Sequence, residues 1–319
     1  MYVSEDEALL VETVTKLVSD EVKGAARAWE TQGIPADFWA SLGELGLLAI
    51  TTPEESGGAG LGLRELGLVA GYLAQGDLSL AWAVTRHNQA LALLATNGHA
   101  DLDDFLAGNR RLDWSGDTTA TVRGVDALVV VNEDSVSLHS CSPISQERTQ
   151  LGGRGLGRSR EISQSAVEQH RATVDQNTLE AESRLLAASI GWGLGKSALA
   201  AATSYALERQ QFGKPIAQFQ AIQWKLADGA MLLEAAELLI GQALQTPSPT
   251  SAAMALKASL DAVTKLVDDG LQTHGGYGYT EDFDIEKYYR DAQFLAGQLG
   301  TRRRQSLQIA QAILNQARH

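Results

Sequence analysis

Apolar residues recur at helical spacing through the first third of the chain and again through its last 140 residues or so, with a strand-like stretch between. Ser4 and Glu7 stand three apart at the head of the first periodic run, which is capping-box spacing. Leu10, Val14, Leu17 and Val18 then form one apolar stripe. Pro35 suits the first turn of a second helix, Phe38, Leu42 and Leu45 form its apolar face, and Gly46 is its expected stop. Residues 53–60 (Pro-Glu-Glu-Ser-Gly-Gly-Ala-Gly) form a loop by composition, and helical patterning resumes over 64–96. Between 112 and 177 the period changes. Residues 118–122, 127–131 and 135–141 are Val- and Thr-rich and are separated by Gly124, Asp126, Asn132 and Asp134, so short strands are expected there. The Gly-rich run 152–159 has no strand before it and no clear helix after it, so a flexible linker is expected rather than a phosphate cradle. Four long Ala- and Leu-rich segments follow, at 179–208, 219–245, 251–274 and 291–316, and short connections between them predict a helix bundle.

Composition narrows the function. The 319 residues carry 26 Lys plus Arg against 39 Asp plus Glu, a formal charge of −13. So acidic a chain is a poor binder of nucleic acid, and Arg302-Arg303-Arg304 is too short a cluster to reverse the field. The single cysteine, Cys141, permits neither an intrachain disulfide nor a cysteine metal cage. The first twenty residues lack the basic and apolar regions of a signal peptide, no uninterrupted apolar run spans a bilayer, and a cytoplasmic setting without membrane insertion is expected. None of the six histidines pairs with another at i,i+3 or i,i+4, so there is no helical zinc motif. Gly195-Lys196-Ser197 looks like the end of a P-loop, but Ile190 stands where that motif needs glycine.

Two stretches are more particular. Residues 205–220 place Arg209 and Phe212-Gly213-Lys214-Pro215 at the end of a long helix, before Phe219 and Gln220. Residues 272–280 (Gln-Thr-His-Gly-Gly-Tyr-Gly-Tyr-Thr) open a helix into a glycine turn, followed by Tyr289-Arg290-Asp291-Ala292. A fixed cation beside a glycine-backed amide surface is what a dinucleotide pyrophosphate requires. Together these stretches resemble the C-terminal domain of the flavin-dependent acyl-CoA dehydrogenases, whose pattern is R-x-x-F-G-x-P-I-x-x-F-Q, then Q-x-x-G-G-x-G-Y, then Y-R-D-A. Residues 42–47 and 53–60 resemble that family's N-terminal helical domain. The resemblance implies a mainly α fold with a reduced β domain: an N-terminal helical domain (1–111), a small middle β domain (112–177) and a C-terminal four-helix bundle (178–319). It also implies FAD at a subunit interface. Arg209, Gln211 and Phe212, with Gln272, Gly275 and Gly276, would reach the FAD of a neighbouring subunit, Arg209 pairing with the pyrophosphate; Gln220 and Thr301 complete the set carried over.

Two departures shape the expected function. The family's carboxylate base stands in a Y-E-G-T segment, where this chain has Gln298-Leu299-Gly300-Thr301, and leucine cannot accept the α proton. The alternative base position, early in the first bundle helix, falls on Ser183, with Glu182 one residue away. The T-E-P…G-S-D and W-I-T segments that contact flavin are not visible between 112 and 177. Elements that serve a neighbour's FAD are kept, while those that serve this chain's own are not. The chain therefore resembles the non-catalytic subunit of actinobacterial heteromeric acyl-CoA dehydrogenases. That implies an oxidoreductase acting on an acyl-CoA, active with a second dehydrogenase-like subunit, as α2β2, in steroid or other lipid catabolism. Two alternatives stand beside it: a self-sufficient homo-oligomer using Glu182, and a non-catalytic scaffold that kept only the bundle interface.

Overall fold

The computed structural model describes residues 4–116, 122–144 and 150–317. The N-terminal segment forms six helices: α1 (Glu5–Leu17), α2 (Lys23–Gln32), α3 (Ala36–Glu44), α4 (Leu63–Ala74), α5 (Leu78–Thr96) and the short α6 (Asp103–Leu106). The Ser4–Glu7 capping box forms in both directions. Gly46 lies at φ 72°, the left-handed conformation expected of a stop. The patterned stretch 64–96 is two helices, because Asp77 breaks it and caps α5 by accepting the Leu80 N–H at 2.8 Å.

Among the described residues six strands follow: β1 (Leu112–Ser115), β2 (Val122–Arg123), β3 (Ala127–Val131), β4 (Ser135–Pro143), β5 (Ser159–Ile162) and β6 (Glu168–Arg171). They pair in the order β1-β3-β4-β5-β2, with β6 also on β4; β1 and β3 run parallel and the other pairs antiparallel. Of the expected strand at 118–122 only Val122 lies within the described residues. β3 is buried throughout, and its alternation shows why. Ala127, Val129 and Val131 pack with Ala90, Leu91 and Leu94 of α5, while Leu128 and Val130 pack with Val122, Cys141 and Ile162 on the other face. Buried His87 fastens α5 to this sheet: Nε2 is 3.1 Å from the Phe105 carbonyl, and Nδ1 accepts the Leu112 N–H at 3.0 Å.

The remaining helices are α7 (Gln176–Glu208), α8 (Gln220–Gln245), α9 (Pro249–His274), α10 (Ile285–Gln298) and α11 (Arg302–Gln316). The expected fourth helix at 291–316 is two helices. Gly300 at φ 88° ends the first, and Thr301 caps the second. α7 is long and apolar enough by length and composition to cross a membrane, but polar residues interrupt it and 78% of its most apolar window is buried inside the fold. Apolar residues all round the helix are the mark of a core helix. Its approach to α4 is close: a Cβ on Gly193 would lie 1.9 Å from the Gly71 carbonyl oxygen.

The Gly-rich run is not a linker. A Cβ on Gly152 would fall 2.1 Å from the Arg290 carbonyl oxygen, one on Gly153 would meet the Phe294 ring, and the Gly153 N–H donates to Asp291 Oδ1 at 2.8 Å. Glycine serves here for close packing against α10 rather than for flexibility.

Candidate functional site

The Arg209 and Gly275 stretches meet at one end of the bundle. α7 ends at Glu208, and Arg209 leaves it in an extended conformation. A two-residue turn, Phe212 (φ 52°) and Gly213 (φ 80°), then joins β7 (Gln210–Gln211) to β8 (Lys214–Pro215). Positive φ at both central positions matches the twist of a tight hairpin, and Phe212 adopts it at a steric cost that glycine would avoid. The Phe212 side chain is also 92% exposed. α9 ends at His274, whose ring stacks on Tyr205 of α7 at 4.2 Å and 24°. His274 Nδ1 lies 2.8 Å from the Gly270 carbonyl, and burial holds its pKa below the ordinary histidine value. That neutral stacked pair aligns the ends of α7 and α9.

Between them runs an open groove of about 470 Å³ whose lining includes Tyr205, Arg209, Gln211, Gly275, Gly276 and Tyr277. The Arg209 guanidinium sits over the Tyr277 ring at 5.7 Å and has no ion-pair partner among the described residues. A Cβ on Gly275 or Gly276 would meet nothing within 4 Å, so the glycine surface faces open space. Gln272, on the last turn of α9, and Gln220, the first residue of α8, are exposed but do not line the groove.

Thr301 does not join this group. It caps α11, with Oγ1 accepting the Arg304 N–H at 3.4 Å, and Arg304 lies 3.5 Å from Glu180 in the first turns of α7. Arg209 follows Glu180 by 29 helical steps of about 1.5 Å, so the two ends are separated by about 40 Å. Thr301 and Arg209 of one chain therefore cannot touch the same phosphate.

Leu299 and the residues around 183 lie at the Thr301 end. Leu299 packs against the core. Ser183 is buried and hydrogen-bonded to Gln89 (3.0 Å) and the Leu179 carbonyl (2.9 Å), while Trp114 Nε1 donates to Gln89 Oε1 at 3.2 Å. Glu182 points elsewhere. It lines a cleft of about 340 Å³ with Leu61, Leu63, Leu66, Leu93 and Leu179, and has no hydrogen-bond or ion-pair partner among the described residues. Burial raises its carboxyl pKa above the ordinary value.

The Y-R-D-A segment has a structural use that its pattern did not disclose. Lys287 Nζ lies 2.8 Å from Asp77 and 2.7 Å from Asp291, all three buried, and Arg290 pairs with Glu30 and Glu286 at 2.7 Å each. The signal was present in part: Asp77 stands at a helix N-cap, and Lys287 and Asp291 are four apart on one helix face.

The sequence family described as acyl-CoA dehydrogenase, N-terminal domain, matches residues 4–104, and acyl-CoA dehydrogenase, C-terminal domain, matches residues 172–314. The chain belongs to the acyl-CoA dehydrogenase family. It is similar to benzylmalonyl-CoA dehydrogenase of Aromatoleum aromaticum, 29% identical over 352 positions that cover 91% of this chain and 93% of that protein. It is also similar to acyl-CoA dehydrogenase IpdE2 of Mycolicibacterium smegmatis, 27% identical over 306 positions that cover 95% and 97%. The solved structure of butyryl-CoA dehydrogenase from Megasphaera elsdenii superposes with a TM-score of 0.84 at 18% identity, covering 98% of this chain and 99% of that one. The first alignment is longer than this chain's 319 residues, so that relative carries insertions this chain lacks; the second is accommodated within the chain's length.

Proposed function

We propose that the chain is one subunit of a two-component, FAD-dependent acyl-CoA dehydrogenase, in which it completes the flavin site of a partner subunit and the partner supplies the carboxylate base. One observation carries this reading. The groove at Arg209, Gln211, Gly275 and Gly276 is open and unpaired, whereas the two positions where the family places its base hold Leu299, partly buried against the core, and Ser183, engaged with Gln89. Free space over the two glycines and an unpaired guanidinium fit a pyrophosphate. Arg209 would neutralise it, and the exposed backbone at Gly275 and Gly276 would let it approach. Phe212, Gln220 and Gln272, exposed around the same end, would rim that contact. Thr301, at the far end, would face a different flavin. The exposure of Phe212 supports a covering partner, since the ring costs free energy where it stands in the isolated chain. FAD, when bound, supplies the hydride acceptor for α,β-dehydrogenation of the thioester. An α2β2 assembly gives every flavin one chain of each kind. The length match to IpdE2 and the compact β segment support a short-chain member, and the resemblance to steroid-catabolic heteromers favours a bulky acyl-CoA.

The test is flavin absorbance of this chain purified alone and after co-expression with a full-length dehydrogenase-like partner. The expected result is a colourless chain, a yellow active complex, and an Arg209→Ala complex that loses its flavin. A yellow, active chain on its own sinks the proposal.

One observation favours a second reading, the self-sufficient homo-oligomer. Glu182 sits unpaired in a cleft lined mostly by leucines, with Gln89, Thr51 and Thr96, and burial raises its pKa, the direction that suits a general base. Under that reading Glu182→Gln abolishes turnover of the chain alone while flavin is retained. Under the two-subunit reading the same variant leaves the complex active.

A further inference from the structure

Outside both ends of the bundle, three side chains from distant parts of the chain converge. His99 stands in the turn after α5, and Glu168 and His170 lie two apart on β6, so their side chains leave the same face of the strand. His99 Nδ1 is 3.0 Å from one Glu168 oxygen, and His170 Nε2 is 2.7 Å from the other. The imidazole rings lie 4.1 Å apart, inclined at 49°. One donor atom from each residue falls within 4.8 Å of the other two. His99 is 94% buried, yet neither of its ring nitrogens has a hydrogen-bond partner. Its short approach to Glu168 is thus off the N–H axis, as expected of two ligands that point at a common centre rather than at each other.

We propose that His99, Glu168 and His170 form a binding site for a zinc-class divalent cation. Two imidazole nitrogens and one carboxylate oxygen are a borderline donor set that suits zinc and disfavours magnesium and calcium, which take oxygen ligands. In a tetrahedral site with bonds of about 2.0–2.1 Å, donor atoms lie about 3.4 Å apart. The two histidines approach Glu168 through its two different oxygens, at 3.0 and 2.7 Å, and one donor atom of each residue already lies within 4.8 Å of the other two, so small rotations of the carboxylate and of partly exposed His170 bring the three donors to that spacing. Each imidazole would bind as the neutral ring through the nitrogen that faces the carboxylate, its single proton carried on the other ring nitrogen. The fourth position opens toward solvent, where Glu168 and His170 are partly exposed. The cation would staple the α5 turn to β6, the last strand before α7, and so tie the sheet to the helices on either side of it in sequence. Its charge is welcome on a chain of net −13. This site is independent of the flavin groove, and the proposal stands whether or not the two-subunit reading does.

The test uses the full chain without a polyhistidine tag, stripped with a chelator, and zinc itself as the probe. Calorimetric titration should give one zinc per chain, and saturating zinc should raise the melting temperature by roughly 5 °C, reversibly on chelation. His170→Ala and Glu168→Gln should each weaken binding by tenfold or more. His170→Ala, at a half-exposed strand position, should leave the metal-free melting temperature nearly unchanged, which separates loss of a ligand from loss of the fold. Absence of binding at micromolar zinc in the unaltered chain overturns the proposal, as does an affinity that neither variant changes.

Discussion

Replacing Lys287 with methionine removes the cation from a deeply buried charge cluster and keeps nearly the same shape. Lys287 Nζ contacts Asp77 and Asp291 at 2.8 and 2.7 Å, and the three side chains are 4%, 1% and 1% exposed. The two carboxylates hold the ammonium well above the ordinary lysine pKa. At an effective dielectric of about 20, each contact is worth about 6 kcal/mol of gross attraction, most of which offsets desolvation. The net effect follows from what the variant leaves behind: two buried carboxylates facing one another. One of them must take up a proton, and at about pH 7 protonating an aspartate of ordinary pKa near 3.9 costs about 4 kcal/mol. That agrees with the ~3–5 kcal/mol typical of breaking a buried pair. The route also fixes the sign of the pH dependence. The variant's folded state keeps a carboxyl whose pKa is raised above its unfolded value. The penalty therefore shrinks by about 1.4 kcal/mol per pH unit on acidification and vanishes near pH 4. Urea unfolding followed by tryptophan fluorescence, near pH 7 and again near pH 5, measures both quantities. Replacing the cluster entirely, Asp77→Asn with Lys287→Met and Asp291→Asn, should recover most of the loss. A single-variant penalty below about 1 kcal/mol, or one that does not depend on pH, refutes the reasoning.

Gly193→Ala places a Cβ 1.9 Å from the Gly71 carbonyl oxygen, so α4 and α7 must separate; the expected loss is about 3 kcal/mol or more by thermal or urea unfolding, whereas Gly24→Ala, with empty space around its Cβ, should stabilise by about 0.5–1 kcal/mol. Burial lowers the His87 pKa to about 3, so the unfolded chain takes up the proton first as pH falls below about 6.5; stability should decline by about 1.4 kcal/mol per unit below that point from His87 alone, and His87→Gln, which can accept from Leu112 and donate to Phe105, should flatten the slope measured by melting temperature between about pH 7 and 5. Arg209→Lys keeps the charge without the two-pronged fork; under the proposed function the purified complex should hold less flavin than the unaltered one but more than Arg209→Ala, by absorbance.

The helical thirds were legible because local rules and tertiary packing agree there. The Ser4–Glu7 box, the Gly46 stop and the α7–α9 runs all answer to neighbours within a few residues. The strands expected at 127–131 and 135–141 followed from Val- and Thr-rich runs between turn residues, and the second extends two residues further, to Pro143. Errors arose where long-range contact overrides local composition. Residues 152–157 have the makeup of a flexible linker, but their glycines are there because α10 leaves no room for a Cβ. The break at Gly300 was hidden because Leu- and Gln-rich helix flanks it on both sides. The residues that line the groove were legible only as a family pattern. Periodicity could not join Arg209 to Gly275, which the stacking of Tyr205 on His274 does. For the same reason a search for histidines on one helix face found no pairing for His99, whose neighbour in space is 71 positions along the chain.

The length of α7 limits what one copy of this chain can do alone. Arg209 lies beyond one end of that helix, while Thr301, Leu299 and Ser183 cluster at the other, about 40 Å away. No extended dinucleotide covers that distance, so under the proposed function the two ends would address two different flavins. At the Thr301 end the groups that would work on a substrate are engaged: Ser183 with Gln89, Gln89 with Trp114, and Trp114 beneath the Arg86 guanidinium at 4.2 Å. At the Arg209 end the groups that would hold a phosphate are unengaged. Under the proposed function, the end that carries no aligned base leaves catalysis to a partner, and the end that offers a cation and a glycine surface serves a neighbour's site. The one group that argues otherwise is Glu182, and its cleft opens between Leu63 of α4, Leu93 of α5 and Leu179 of α7. Either an acyl chain enters between those helices and Glu182 meets its α carbon, or the carboxyl is an acid held in an apolar wall. Turnover by Glu182→Gln, measured on the chain alone and in the complex, separates the two, because only the first arrangement makes that side chain indispensable.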